Sequence, residues 1–134
     1  RKEVDIDCAP APEALYRGDE SLLRQMLLNL LDNAVKHTPA GGRIMLRLER
    51  ADTNYFVTVA DTGTGIPAEA QPHIFERFYR ADKARLRAEN GGGAGLGLSI
   101  AQWVAEAHCG SLTLQYSDQR GSAFRVSLPV NQTC

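Results

Sequence analysis

The feature that most constrains the fold is a leucine-rich stretch from Leu22 to His37. Polar side chains recur in it at every fourth position, namely Gln25, Asn29, Asn33 and His37. Residues four apart lie on the same face of an α-helix, so these side chains form one stripe. Leucines surround that stripe on almost every other side. The stretch therefore predicts a helix that carries one polar stripe and is buried on both flanks of it.

The two asparagines of that stripe need a partner. Asparagine is an indifferent helix former, and an amide buried without a partner costs about 1–3 kcal/mol. Two of them one turn apart, among leucines, suggest that something polar lies against the stripe. The alternative is that each amide bonds to a neighbouring backbone group. The helix by itself leaves both interpretations open.

The remaining segments predict a mixture of strands and helices. Asp19 is a typical N-cap for the first helix, and Thr38 to Gly42 end it. The other expected elements are strands at 4–7, 44–49, 55–59, 111–116 and 123–128 and a helix at 96–108. Strand pairs adjacent in the sequence, with helices between them, favour an α/β (α+β) two-layer sandwich. We expect a mixed sheet covered on one face by about three helices, with residues 1–134 forming a single domain.

Composition narrows the range of functions that are expected of the chain. The chain is 43% apolar and 23% charged with a net charge of −1, which gives no support for nucleic-acid or membrane-surface binding. Its three cysteines match neither a disulfide framework nor a zinc site, so reduced thiols are expected. The three histidines are equally scattered, and a metal cluster made only of protein ligands is not expected. No signal peptide opens the chain, and we interpret it as an excised piece.

A second segment brings a carboxylate to the end of a hydrophobic strand. Asp61 enters a turn that contains Gly63 and Gly65. A carboxylate there can accept a hydrogen bond from an exocyclic amine, which favours adenine over guanine; alternatively, it caps its own turn. The spacing Gly63-x-Gly65-x-x-Ala68 also fits the looser dinucleotide-binding pattern. That match is discounted because two nearby prolines replace the long helix that the pattern requires.

Two further segments surround residues 79–95, which are polar and lack periodicity. The aromatic side chains Phe75, Phe78 and Tyr79 are expected to anchor the loop that follows. Five basic residues and one acid lie between positions 77 and 87; they form either a solvated charge run or a site for phosphate oxygens. Five glycines occur between Gly91 and Gly97, directly before an apolar helix. They fit neither the P-loop nor the dinucleotide-binding pattern.

In this order, the four segments resemble the ATP-binding catalytic domain of two-component sensor histidine kinases. That domain belongs to the Bergerat-fold ATPases and kinases, with DNA gyrase, heat-shock chaperones and mismatch-repair proteins. Asn29 to Pro39 resembles the N box, and Asp61 to Ile66 resembles the first glycine box. Ile74 to Tyr79 resembles the F box, and Gly93 to Leu98 the second glycine box. The resemblance spans nearly the whole chain.

The resemblance implies a site for ATP and Mg²⁺. Asn33 would ligate the magnesium, with support from Asn29. Asp61 would bind the adenine amino group, with Ile66 packing on the base and His37 near the base or sugar. The positions implied to contact phosphates, or to form the glycine-rich backbone around them, are Lys36, Arg77, Arg80, Gly63, Gly65, Gly93, Ala94, Gly95, Leu96, Gly97 and Leu98. Residues 79–95 would form a mobile ATP lid, which Phe75, Phe78 and Tyr79 would anchor.

The resemblance also implies the reaction. Water-splitting relatives typically have a glutamate at the position of Asn29, and an asparagine cannot act as a general base. We therefore expect a protein histidine kinase that donates the γ-phosphoryl group to a histidine on separate dimerisation helices. His37, His73 and His108 all lack a His-Glu-x-Arg context, so the chain alone would not autophosphorylate. The alternatives are a non-catalytic nucleotide-sensing module and a gyrase-type ATPase.

The implied partners are those helices and a downstream response regulator, without nucleic acid or direct membrane contact. The chain would be a monomeric cytoplasmic domain of a membrane-anchored receptor. Two positions depart from the family pattern. Ala94 stands where threonine or serine is common, and Cys109 stands where a second glycine usually follows the histidine.

Overall fold

The computed structural model describes residues 5–8, 18–76 and 97–130 of the chain. The elements in chain order are β1 (Asp5–Cys8), α1 (Glu20–His37), β2 (Arg43–Ala51), β3 (Asn54–Asp61), a 3₁₀ turn (Gln71–His73), α2 (Gly97–Ala107), β4 (Ser111–Asp118) and β5 (Gly121–Pro129). The strands form one sheet in the order β1-β2-β3-β5-β4. β1 is parallel to β2, and the other neighbours are antiparallel. The predicted α+β class and mixed sheet are confirmed; of about three predicted helices, the described residues contain α1, α2 and the 3₁₀ turn.

Helix α1 has the predicted boundaries because both of its ends are capped. The Asp19 side chain accepts a hydrogen bond from the Leu22 N–H at 3.0 Å, which satisfies one of the free donors of the first turn. Met26, Leu30 and Ala34 follow at intervals of four and are buried in the core. They pack against the inner face of the sheet together with α2. This packing turns the polar stripe of α1 away from the centre of the core.

The end of α2 is tied to the start of α1 by a buried histidine. The His108 Nδ1 donates to the Val104 carbonyl at 2.8 Å, and its Nε2 accepts the Asp19 N–H at 3.1 Å. The next residue, Cys109, has a φ of 66°, a left-handed conformation that usually selects glycine at a helix end. The Gly110 N–H then bonds to the Ala105 carbonyl at 2.8 Å. Cys109 thus keeps the conformation of the glycine that usually occupies its position.

The expectation of reduced thiols is wrong for Cys109. This residue is disulfide-bonded in the structure. Spacing along the sequence could not reveal this, because disulfide formation depends on which cysteines the fold brings together.

Both hairpins turn more tightly than the sequence suggested. Asp52 and Thr53 alone connect β2 to β3, and Asp52 takes a positive φ of 53°. Gln119 and Arg120 alone connect β4 to β5, so the connection is shorter than the gap left between the strands expected at 111–116 and 123–128. The strands therefore extend further than their apolar residues indicated. Neither helix in the described ranges is long and apolar enough to cross a membrane.

Candidate nucleotide site

The polar stripe of α1 contains a row of amides, Gln25, Asn29 and Asn33, which we call the amide row. The Gln25 Nε2 donates to the Asn29 Oδ1 at 3.1 Å. The Asn29 Nδ2 is buried, and no hydrogen-bond acceptor in the described part of the chain reaches it. Asn33 lies one turn further on and is half-buried. The alternative that each amide bonds to backbone is therefore wrong for Asn29, and a buried donor is left for a polar group from outside.

At the end of β3, Asp61 is buried, with 5% of its surface exposed. Its Oδ1 accepts the Gly63 N–H at 2.8 Å, and the Ser122 backbone N–H also bonds to the carboxylate. Burial raises the pKa of Asp61 above its ordinary value of 3.8, while these two hydrogen bonds and the nearby His37 oppose the rise. A carboxylate has about four acceptor positions. Two backbone donors therefore leave capacity for a third donor.

The glycine turn after β3 lies against the last turn of α1 and against the β4–β5 hairpin. A Cβ on Gly63 would lie 2.2 Å from the His37 carbonyl oxygen, and one on Gly65 would lie 2.1 Å from the Asp118 carbonyl oxygen. Gly65 also has a φ of 79°. Only glycine fits such close backbone contacts. The turn thereby brings His37 and Asp61, which are distant in sequence, to one place.

Ile66 follows the turn and is buried. Its N–H donates to the Ser117 Oγ at 2.7 Å, and the Ser117 and Ser122 hydroxyls are 2.8 Å apart. The Ile66 carbonyl accepts a hydrogen bond from the Gln71 Nε2 at 2.9 Å. We call Asp61, Gly63, Ile66, Ser117 and Ser122 the Asp61 corner. No local sequence motif marks Ser117, Ser122 or Gln71: the contacts of the two serines depend on the pairing of β4 with β5, and that of Gln71 depends on the fold of the 3₁₀ turn.

The other predicted site positions are divided between described and undescribed residues. Phe75 packs its ring edge-on against Phe124, with 6.1 Å between ring centroids. Lys36 is exposed on α1, Gly97 is exposed at the start of α2, and Leu98 packs against the core. The predicted positions that lie outside the described residues are Arg77, Phe78, Tyr79, Arg80, Gly93, Ala94, Gly95 and Leu96. The predicted ATP lid lies there as well.

The types of side chain in the described residues decide what kind of magnesium site they could form. No group of three or more His, Cys, Asp or Glu side chains in the described ranges could hold a metal ion. Magnesium is commonly bound through one or two protein oxygens, substrate phosphates and water. The Asn33 amide oxygen is such a ligand, and the unpartnered Asn29 Nδ2 suits a phosphate oxygen. The described residues therefore fit a magnesium ion that would arrive with a nucleotide.

Comparisons with known proteins agree with this geometry. Residues 18–132 match the family described as histidine kinase-, DNA gyrase B- and HSP90-like ATPase. The sensor histidine kinase RppB of Synechocystis sp. is 45% identical over 113 residues, covering 84% of this chain and 24% of that protein. The sensor protein CiaH of Streptococcus pneumoniae serotype 4 is 41% identical over 112 residues, covering 84% of this chain and 25% of that protein. The chain thus spans about a quarter of the length of these relatives.

Solved structures resemble the whole chain. The mycobacterial sensor histidine kinase MprB superposes with a TM-score of 0.77 at 34% identity, covering 98% of this chain and 85% of that chain. Full-length ShkA, in complex with AMPPNP, superposes with a TM-score of 0.80 at 33% identity. That match covers 98% of this chain and 26% of ShkA.

Proposed function

The chain belongs to the histidine kinase-, DNA gyrase B- and HSP90-like ATPase family, and from that premise we propose that it binds Mg-ATP and donates the γ-phosphoryl group to a histidine on another domain. That domain would be the dimerisation helices of the same sensor kinase, followed by a response regulator. The buried Asp61 carboxylate, with acceptor capacity left beside a glycine turn, carries the proposal. Residues 1–134 would act as one cytoplasmic catalytic domain of a membrane-anchored receptor.

Asp61 would select adenine. Its carboxylate accepts hydrogen bonds and donates none at neutral pH, so it suits the exocyclic amine of adenine and opposes the carbonyl oxygen of guanine. Ile66 is an apolar neighbour on which the base could pack. His37 lies within electrostatic reach of Asp61, as expected of a residue near the base or sugar.

Asn29 and Asn33 of the amide row would receive the phosphates and their magnesium. The buried Nδ2 of Asn29 is a donor for an anionic oxygen, and the Asn33 oxygen is a ligand for magnesium. When bound, the ion would neutralise phosphate charge. The residues of this chain would position the nucleotide, exclude water and hold the γ-phosphoryl group toward the acceptor. Lys36, Arg77, Arg80 and the two glycine boxes remain proposed contributors to phosphate binding.

The proposal favours a kinase over a hydrolase because of Asn29. Its amide cannot remove a proton from water, which a gyrase-type ATPase requires of the residue in this position. Chemistry would consist of positioning and charge stabilisation, with the base supplied by the acceptor domain. A nucleotide-sensing module without phosphotransfer would use the same contacts, and only an acceptor distinguishes it.

The first experiment measures binding. Titration calorimetry of the 134-residue chain should give Mg-ATP affinity at micromolar levels, on the order of −8 kcal/mol, with much weaker GTP binding. Asn33→Ala should lower the affinity for ATP in the presence of magnesium, and should lower it less when EDTA has removed the magnesium. Equal ATP and GTP affinities would remove the assigned role of Asp61.

The second experiment measures transfer. The chain is mixed with the dimerisation helices of its own kinase and γ-labelled ATP, and acid-labile, base-stable phosphate on those helices is measured. The proposal predicts labelled histidine only when both parts are present. Binding without any label would favour the sensing module, and steady phosphate release by the isolated chain would favour the ATPase.

A further inference from the structure

Gln25 precedes the site residues by one helical turn and has no assigned role. Its Nε2 donates to the Asn29 Oδ1 at 3.1 Å. An asparagine amide has an acceptor end and a donor end, so this bond decides which end remains. The remaining end is Nδ2, which is buried and has no acceptor among the residues that the structure describes.

A triphosphate presents only acceptor oxygens once ionised. An amide stabilises it when the N–H₂ group faces the phosphate, and repels it when the carbonyl lone pairs do. We propose that Gln25 is a positioning residue for the triphosphate: by holding the Asn29 Oδ1, it keeps the Asn29 Nδ2 turned toward the phosphate oxygens. This inference rests on the proposed function, since it requires that ATP binds against the amide row.

A purely structural role for Gln25 is the main competing explanation. Side-chain hydrogen bonds between residues four apart commonly stabilise helices, and Gln25 is itself exposed. Such a bond would act on the helix as a whole and would affect the adenine and phosphate contacts alike. A positioning role acts through one atom and affects only ligands that carry phosphates. The two explanations therefore differ in ligand dependence.

The test replaces Gln25 by methionine, which keeps the length and helix propensity of the side chain but cannot donate. ATP affinity should fall about 3- to 10-fold, the effect of one hydrogen bond. Adenosine affinity, measured by NMR titration to millimolar concentrations, should stay the same. Gln102→Met provides the matched control, because it makes the same change on α2, and both affinities should equal those of the wild type.

A double-mutant cycle then tests whether Gln25 acts through Asn29. In an Asn29→Ala background, Gln25→Met should have no further effect on ATP affinity. The Asn29 side-chain N–H₂ signals, assigned by their absence in Asn29→Ala, should shift with ATP and not with adenosine. In Gln25→Met that shift should decrease.

Three results would overturn the inference. The first is that Gln25→Met loses ATP and adenosine affinity equally, and the second is that it leaves ATP affinity unchanged. The third is that Gln25→Met lowers ATP affinity as much in the Asn29→Ala background as in the wild type. Circular dichroism of each variant checks that the helix is intact. If the wild-type chain binds no ATP at all, the proposed function fails and the inference fails with it; the three results above remove the inference alone.

Discussion

The Asp61 corner and the amide row differ in how complete they are. In the Asp61 corner, each polar group described above has a partner within the chain: the carboxylate accepts two backbone N–H groups, and the Ile66 N–H and carbonyl are both bonded. In the amide row, Gln25 and Asn29 bond to each other, and the Asn29 Nδ2 is left over. In the Asp61 corner the polar groups are bonded and only acceptor capacity remains, whereas the amide row keeps a buried donor that has no partner among the described residues.

This difference follows from the ligand that each region would meet. An adenine edge is fixed in shape, so a rigid corner held by close backbone contacts can be complementary to it before binding. A triphosphate with its magnesium is highly charged, and donors that satisfied each other would have nothing to offer it. The comparison implies that changes in the Asp61 corner affect base recognition or the packing around it, whereas changes in the amide row affect phosphate binding alone.

The largest effect is expected from Gly121→Ala. A Cβ at this position would lie 1.9 Å from the Asp61 carbonyl oxygen, and the φ of 143° is unfavourable for alanine. Overpacking and backbone strain together should lower the free energy of unfolding by about 3–5 kcal/mol, measured by urea denaturation. Gly41→Ala is the control, because its φ is 89° and nothing lies within 4 Å. Similar losses in both variants would show that the corner is not closely packed.

Asp61→Asn should separate recognition from stability. The asparagine oxygen can still accept the Gly63 N–H, but the charge is lost, and ATP affinity should fall about 10- to 100-fold. Stability should stay the same or rise, because burial raises the pKa of Asp61 and so opposes its ionised form. Calorimetry and urea denaturation measure the two effects. Asp118→Asn is the control, because Asp118 is exposed and its carboxylate accepts the Arg120 N–H at 2.7 Å. This variant should leave ATP affinity unchanged.

The pH dependence of the wild type should have a defined sign. The pKa of Asp61 is raised in the folded state, so its ionisation penalises folding: the wild type should lose stability relative to Asp61→Asn as pH rises from 3.8 through the folded pKa. Adenosine affinity should change in the opposite direction, decreasing as acidification protonates the acceptor. NMR titrations of adenosine into the wild type and into Asp61→Asn, over the same pH range, test this change in affinity. If adenosine affinity decreased on acidification in Asp61→Asn as well, the effect would belong to another group.

The smallest effect is expected from Ser117→Ala. It removes the acceptor of the Ile66 N–H and the partner of the Ser122 hydroxyl. The free energy of unfolding should fall by about 1–2 kcal/mol, with a small loss of adenosine affinity. Ser111→Ala, at an exposed position on the same strand, should change neither. If ATP affinity fell while adenosine affinity did not, the proposed division between the two regions would be wrong.

Sequence patterns predicted the elements whose signals are local. The Asp19 cap, the fourfold spacing in α1 and the strands expected at 44–49 and 55–59 depend on near neighbours, and the structure has each of them. The tight turn at Gln119 and the bonds of Ser117 were missed because they arise from pairing between strands. The leftover donor of Asn29 was one of two interpretations that the helix pattern left open, since buried amides need partners and a backbone group could have been that partner. Which atom would be left over depends on the rotamer of Gln25, and no spacing encodes that.

The close contact of Gly65 and Gly121 with their neighbours has a consequence for how such chains diverge. Because Gly65 and Gly121 hold the β4–β5 turn against Asp61 and the glycine turn, an insertion at Gln119 or Arg120 would displace the residues that pack around Asp61. The β2–β3 turn lies at the opposite end of β3 from Asp61, and its Thr53 carbonyl accepts the Val130 N–H at 2.7 Å. We expect changes in loop length, and grafted tags or reporters, to be tolerated at Asp52 before they are tolerated at Gln119 or Arg120.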